Sequence, residues 1–219
     1  MRVGNIALAS RLVLPVEFPG ALLVASAVAL LVAACSIGKP VPQPTTYVIE
    51  AGIPPARLSG AHDKEVVRMG YVRVASAFSG NSLVYRTDDV TFVADPYQAF
   101  ISDPRAMLGN QMADWLDRAG PFKAVTQSDS AVSATYTLEP TVSELYGDFR
   151  PAQPAAAVMT VQFALVGSDV GSSLVFERTI SRRVPLDRAS PDALVRGYDR
   201  ALSEILTELA GELAAKKLR

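Results

Sequence analysis

From Val158 to Val166 the side chains alternate. Met159, Val161, Phe163 and Leu165 fall on one side, Thr160, Gln162 and Ala164 on the other. A period of two predicts a strand with one buried face. Leu174 to Val184 repeats it, with Leu174, Phe176 and Ile180 opposed to Val175, Glu177 and Thr179. Gly167-Ser168-Asp169-Val170-Gly171 lies between the two runs and supplies turn residues, so together they predict a hairpin. Ala134 to Tyr146 predicts a further strand, with Tyr136, Leu138, Val142 and Tyr146 in the even positions. Pro140 has no N–H to give to a ladder, which predicts an edge or a bulge there. Gly147 to Pro154 reads as a loop.

The same period is weaker upstream. Tyr47-Val48-Ile49 predicts the first strand, and the Pro- and Gly-bearing stretch Gly52 to Lys64 a loop. Val66 to Ala77 sets Val67, Met69 and Tyr71 against Arg68, Gly70 and Val72, a strand by its β-branched and aromatic content. Leu83 to Arg86 and Val90 to Val93 form a second hairpin around Asp88-Asp89, and Phe122 to Thr126 is a short strand.

Two segments change to helical spacing. Asp103-Pro104 suits an N-cap followed by the first helical residue. Met107, Leu108, Met112, Trp115 and Leu116 then make one apolar stripe, which Gly120-Pro121 ends. Ser190-Pro191 opens a second helix with the stripe Leu194, Tyr198, Ala201, Leu202, Ile205, Leu209 and Leu213. Asp192 lies at its positive end and Lys216, Lys217 and Arg219 at its negative end. The expected fold is a single α+β domain over residues 47–219: a largely antiparallel or mixed sheet with two principal helices packed on one face.

The N-terminal pattern is of another kind. Ala21 to Ala34 is a 14-residue run without charge, Pro or Gly, followed directly by Cys35, the only cysteine. As a helix the run covers about 21 Å, short of the roughly 30 Å hydrocarbon core of a bilayer. An apolar run ending in small residues has the form of a secretory signal peptide. Residues 1–34 are therefore expected to be a signal peptide, against an uncleaved membrane anchor or a buried core helix. A lone thiol in an exported protein has no internal disulfide partner, and lipid attachment gives Cys35 a purpose. The junction resembles the lipobox of bacterial lipoproteins, in which the cysteine is diacylated and becomes the mature N-terminus. Such a protein has two or three acyl chains, enough for stable anchoring where one chain is marginal. That resemblance, with Ser36 and not Asp after the cysteine, implies the periplasmic face of the outer membrane of a Gram-negative bacterium. Residues 35–46 carry Pro40, Pro42 and Pro44 in alternation, which favours an extended tether of up to roughly 28 Å from Ser36 to Pro44. A loop packed on the domain is the other reading.

Without residues 1–34 the chain loses Arg2, Arg11 and Glu17, leaving 185 residues and a net charge of −2. This is enough chain for one domain with a real core. Near-neutrality argues against nucleic acid, which needs a basic surface, and no Lys/Arg-dominated window offers a strong grip on anionic headgroups.

No catalytic constellation, cofactor motif or metal-ligand spacing is legible. His62, the only histidine, reads as a solvated loop residue; Asp88-Asp89 reads as a turn; Arg182-Arg183 reads as an exposed strand end. The aromatics Tyr85, Phe92, Tyr97, Phe100 and Trp115 cluster in a short interval. Packing of the sheet against the first helix accounts for them. A groove for a partner or a lipid, formed by Tyr85, Tyr97, Phe100 and Trp115, is the alternative, because Tyr and Trp suit half-wet interfaces.

The order of features carries a resemblance. A lipobox and a Pro-rich tether precede Tyr47-Val48-Ile49 and Leu83-Val84-Tyr85-Arg86. Tyr97-Gln98-Ala99-Phe100, Pro104-Arg105-Ala106-Met107-Leu108 and Gly120-Pro121-Phe122-Lys123-Ala124-Val125 follow. This looks like the ABC-type transport auxiliary lipoprotein family, which includes the lipoprotein of the Pqi phospholipid-transport system. The resemblance covers nearly all of residues 35–215 and is strongest from Leu83 to Val125. It implies a non-enzymatic accessory of a phospholipid or other lipid transporter. The implied partners are an Mce-domain protein and an inner-membrane permease with its ATPase, and a homo-oligomer is implied as well. An interaction lipoprotein of another envelope complex, such as an activator of peptidoglycan synthesis, and a lipoprotein hydrolase are the competing expectations.

Overall fold

The computed structural model describes residues 43–58, 62–168 and 173–218. Nine strands form one mixed sheet: β1 Thr45–Tyr47, β2 His62–Met69, β3 Arg73–Val74, β4 Ser82–Arg86, β5 Phe92–Phe100, β6 Phe122–Thr126, β7 Tyr136–Asp148, β8 Ala156–Gly167 and β9 Leu174–Pro185. A 3-10 turn at Ser76–Phe78 and two helices, α1 Pro104–Ala119 and α2 Pro191–Ala215, complete the α+β domain. The class expected from the sequence is the class observed.

β7 organises the sheet. On one side it pairs antiparallel with β8 along its whole length, from Tyr136 opposite Gly167 to Asp148 opposite Ala156. On the other side it meets three strands in succession, all parallel: β2 at Val67–Met69, β3 at Arg73–Val74 and β4 at Tyr85–Arg86. β6 lies parallel beyond β2; β5 lies antiparallel beyond β4 and carries β1 in parallel. Pro140 therefore sits inside an interior strand, not on an edge. The carbonyls of Leu138 and Val142 accept from the amides of Gly70 and Ala75. Alternate residues of a strand direct their polar groups to the same side, so the ring nitrogen of Pro140 faces the step between β2 and β3, where no ladder bond is required. The bulge in β7 lies between Val142 and Glu144.

Other boundaries differ from those expected. β1 ends at Tyr47, β2 starts inside the expected loop, and β7 runs on to Asp148. The hairpin β8–β9 is as expected, but a register shift between Leu165 and Val166 places Leu174 opposite Val166, 58% exposed.

Both helices pack on the sheet and on each other. α1 lies against β6, β2 and β3, and α2 against β8 and β9. Asp103 accepts from the Arg105 amide, and Gly120 closes α1 in the left-handed conformation (φ 69°) with its amide on the Leu116 carbonyl. Ser190 caps α2 by accepting from the Ala193 amide. The buried side chains of both stripes join Met159, Val161, Phe163 and Leu165 of β8 in one core. Burying each large aliphatic side chain of that kind is worth about 1.5–3 kcal/mol. Gly197 sets the approach of α2 to β8, because a Cβ there would lie 2.6 Å from the Ala157 Cβ.

Candidate functional site

Cys35 and the segment before it lie outside the described residues. Among those residues no helix is long and apolar enough to cross a membrane.

The four candidate contact aromatics do not converge. Trp115 is on the buried stripe of α1, 1% exposed, and its indole Nε1 has no hydrogen-bond partner among the described residues. Phe100 ends β5 at 4% exposure, tilted against Tyr198 with ring centroids 6.3 Å apart. Both belong to the core, since their positions on α1 and β5 turn them toward the helix–sheet interface; this corrects the groove reading for these two residues. Tyr85 is half-buried. It stacks on Phe149 at 4.9 Å and donates its hydroxyl to Asp95 Oδ2 at 2.8 Å. Burial, and then the Asp95 hydrogen bond, push its phenol well above the ordinary value. Tyr97 is 44% exposed, within the register shift of β5 against β4, where Asp95 Oδ1 accepts the amides of Tyr97 and Gln98. Phe92 and Val93, on opposite faces of β5, are 45% exposed each.

His62 is not a solvated loop residue. It is 6% exposed in β2 and stacks on Phe122, with Nε2 3.0 Å from the Leu213 carbonyl. A carbonyl only accepts, so Nε2 carries the proton. The imidazole thereby serves one of the last carbonyls of α2, which otherwise accepts only the Lys216 amide at 3.3 Å. The sequence signal was faint: a lone histidine among polar residues, placed by a contact 151 residues away.

Arg182 and Arg183 are not a free strand end either. They point to opposite faces of β9. Arg182 reaches Glu204 at 3.2 Å and Glu208 on α2, where Arg178 also binds Glu208 and Glu212. Arg183 reaches Asp148 at 2.6 Å. Asp148 is fully buried and also bound by Arg150, which extends to Asp89. Arg150, and then Arg183, hold the Asp148 carboxyl well below the usual carboxylate range against its burial. Sequence reasoning missed this cluster. Asp148 and Arg150, opposite charges two residues apart, were the available signal, although Arg150 lies beyond the end of β7. Asp88-Asp89 lies at the β4–β5 turn as expected.

A different group of side chains ties the N-terminal segment to the helices. The Tyr47 hydroxyl lies 2.8 Å from Gln98 Oε1 and 2.9 Å from Asp192 Oδ1. Burial and the Asp192 contact raise its phenol. The Glu50 amide donates to Asp199 Oδ1 at 2.8 Å, and the Ala51 amide to Gln111 Oε1 at 3.2 Å. Desolvation raises the Asp199 carboxyl, opposed by the Glu50 amide.

Among the described residues no group of three or more His, Cys, Asp or Glu is arranged to hold a metal ion. An open cleft of about 330 Å³ lies between α1 and the β2–β3 turn, beside Tyr71, Arg105 and Asn110. Asp103, whose carboxylate is paired with Arg105, and Ser128 also line it.

No curated protein matches this chain. Among solved structures, a Xanthomonas campestris protein of the DUF330 family superposes with a TM-score of 0.62 at 17% identity, over 79% of this chain and 93% of its own. The structure of an uncharacterized protein superposes with a TM-score of 0.62 at 18% identity, over 78% of this chain and 99% of its own. These likenesses speak for the fold. The family model described as ABC-type transport auxiliary lipoprotein component matches residues 47–210, from the end of β1 into the last turns of α2. The chain therefore belongs to the ABC-type transport auxiliary lipoprotein component family.

Proposed function

We propose that this chain is a non-enzymatic lipoprotein, held at the periplasmic face of the outer membrane through acyl chains on Cys35. In this reading it serves as the auxiliary component of an Mce-type ABC system that moves phospholipid or another lipid. One observation carries the reading: the family match over residues 47–210 follows a cysteine that itself follows a 14-residue uncharged apolar run. ATP binding and hydrolysis fall to the partner ATPase, and the domain supplies a docking body. The use of His62 as a helix-end partner supports a non-catalytic role, since it ties up the chain's one imidazole. Of the four candidate contact aromatics the proposal keeps Tyr97, which is open to a partner. Homo-oligomer formation is part of the same reading.

Mass spectrometry of the native protein is expected to find a diacylated or triacylated Cys35 at the mature terminus. Cys35→Ser is expected to release a folded domain from the membrane fraction and abolish function. Affinity capture with the wild-type chain is expected to retain an Mce-domain protein. A free thiol at Cys35 overturns the anchor. Capture of a peptidoglycan synthase in place of the Mce protein overturns the transport role.

A further inference from the structure

The first described residues reach the domain body through an unusual connection. β1 has only three paired residues, Thr45 to Tyr47 opposite Gln98 to Phe100. Beyond it the chain leaves the sheet and lies over the two helices. Ile49 and Ala51 are buried, at 0% and 1% exposure, while Val48, directly after β1, is 42% exposed. Among the described residues no strand pairs with residues 48–51. Their amides go to single side chains of both helices: Ile49 to the Met107 Sδ at 3.4 Å, Glu50 to Asp199, and Ala51 to Gln111. A thioether is a weak acceptor. Gly52, in the left-handed conformation (φ 69°), then turns the chain into an exposed stretch that holds Ile53 at 80% exposure. The next backbone tie to the body is the Leu58 amide on the Ala119 carbonyl, 2.7 Å.

Such a segment differs physically from a strand in a ladder. Past Tyr47 its donors are satisfied one by one by side chains with rotamer freedom, so losing one bond there does not require losing a neighbouring strand. Local opening concentrates where backbone hydrogen bonds are few and buried apolar contacts small. Against this stand the three-residue β1–β5 pairing, the hydroxyl bonds of Tyr47 and the burial of Ile49 and Ala51, fewer ties than hold β8 and α2.

We propose that residues 45–57 are a releasable strap that detaches from α1 and α2 while the rest of the domain stays folded, and so lengthens the connection between anchor and body. The size of the effect makes it consequential. Thirteen residues drawn out at about 3.3–3.6 Å each give up to roughly 45 Å of chain. The Pro-rich residues Ser36 to Pro44 span roughly 28 Å when extended, so release more than doubles the reach. This use of the strap rests on the proposed lipid anchor at Cys35; the strap's opening does not.

Hydrogen exchange of the full chain in detergent, read by mass spectrometry at neutral pH, tests the opening. Amides of 49–51 are expected to exchange at least 100-fold faster than those of β8, with little dependence on mild denaturant. Gln111→Ala is expected to speed exchange in 49–51 by about tenfold and to leave β8 unchanged. Equal protection of strap and β8, or acceleration of both alike by Gln111→Ala, overturns the proposal. A second readout does not depend on that variant. Optical-tweezer stretching between Gln43→Cys and Lys217→Cys, in a Cys35→Ser background, is expected to give a first extension of about 13 residues before global unfolding. One single unfolding step overturns the strap. An unmodified thiol at Cys35 with these readouts intact overturns the anchor reading alone.

Discussion

β7, β8 and β9 share antiparallel ladders of up to twelve residue pairs, each broken by one register shift, and α2 packs against β8 and β9. At the N-terminal rim, three residues of β1 pair with β5, and side chains of α1 and α2 hold the amides that follow. In the first region each bond is supported by the next one along the ladder. In the second, bonds come singly and from elements far apart in sequence. The difference predicts two stabilities in one domain: a platform that opens only by global unfolding and a rim that opens locally.

The largest expected effect lies in the platform. Leu202, fully buried on α2, is a core residue. Leu202→Ala is expected to cost about 2–5 kcal/mol through the cavity it leaves. That lowers the melting temperature by on the order of 10 °C for a domain of this size. A melting temperature within 1 °C of wild type, to order of magnitude, would show that α2 does not seal the platform.

Asp148→Asn comes next. It removes the charge between Arg150 and Arg183 at the end of β7. Removing one partner of a buried pair costs about 3–5 kcal/mol; the low end is expected because both arginines reach solvent, at 21% and 43% exposure. The pH dependence follows from the lowered carboxyl. Wild-type Asp148 contributes stability above the unfolded carboxylate value of about 4 and loses it as the pH falls toward the depressed folded value. Urea midpoints of variant and wild type are therefore expected to differ most at neutral pH and to converge in acid. A gap independent of pH would mean that the cluster is held by packing and not by charge.

What could be read from the sequence follows the same division. The β8–β9 hairpin, α1 with its Asp103 and Gly120 ends, and α2 with Ser190 were legible because their signals lie within a few residues of the structure they specify. Pro140 misled because its effect depends on which edge its nitrogen faces, and that depends on the step between β2 and β3. His62, Asp148 and the amides of 49–51 find their partners across the fold, His62 at Leu213 and Asp148 at Arg183. Propensity and spacing say nothing about such pairings. For the candidate contact aromatics, the interval from Tyr85 to Trp115 could be seen to be rich in rings. Whether a given ring faced the core depended on how α1 lay on the sheet.

Gly197 tests how tightly the platform is closed. Alanine is the better helix former by about 1 kcal/mol, so on propensity alone Gly197→Ala stabilises α2. A Cβ at this position, however, would lie 2.6 Å from both the Ala157 Cβ and the Leu186 Cδ2. Overpacking of this kind costs about 1–3 kcal/mol. A net loss of stability is expected, with the hydrogen exchange of β8 accelerated. Net stabilisation would show that α2 can shift off β8 at little cost, and that the platform is looser than its ladders suggest.

The smallest effect belongs to the rim and separates the two regions most cleanly. Tyr47→Phe keeps the ring and removes the hydroxyl that lies between Gln98 and Asp192. A hydrogen bond of this kind contributes about 1 kcal/mol. If rim and platform open independently, the loss falls on local opening. Amides of 45–51 then exchange about five- to tenfold faster, while the melting temperature, set by the platform, moves hardly at all. If the two regions unfold together, the same loss appears as a lower melting temperature and the rim shows no selective acceleration. The substitution changes one oxygen atom, and Tyr47 closes the β1 pairing just where the chain leaves the sheet for the helices. The partition of its effect between the two readouts therefore measures how far the ladder's cooperativity reaches into the strap.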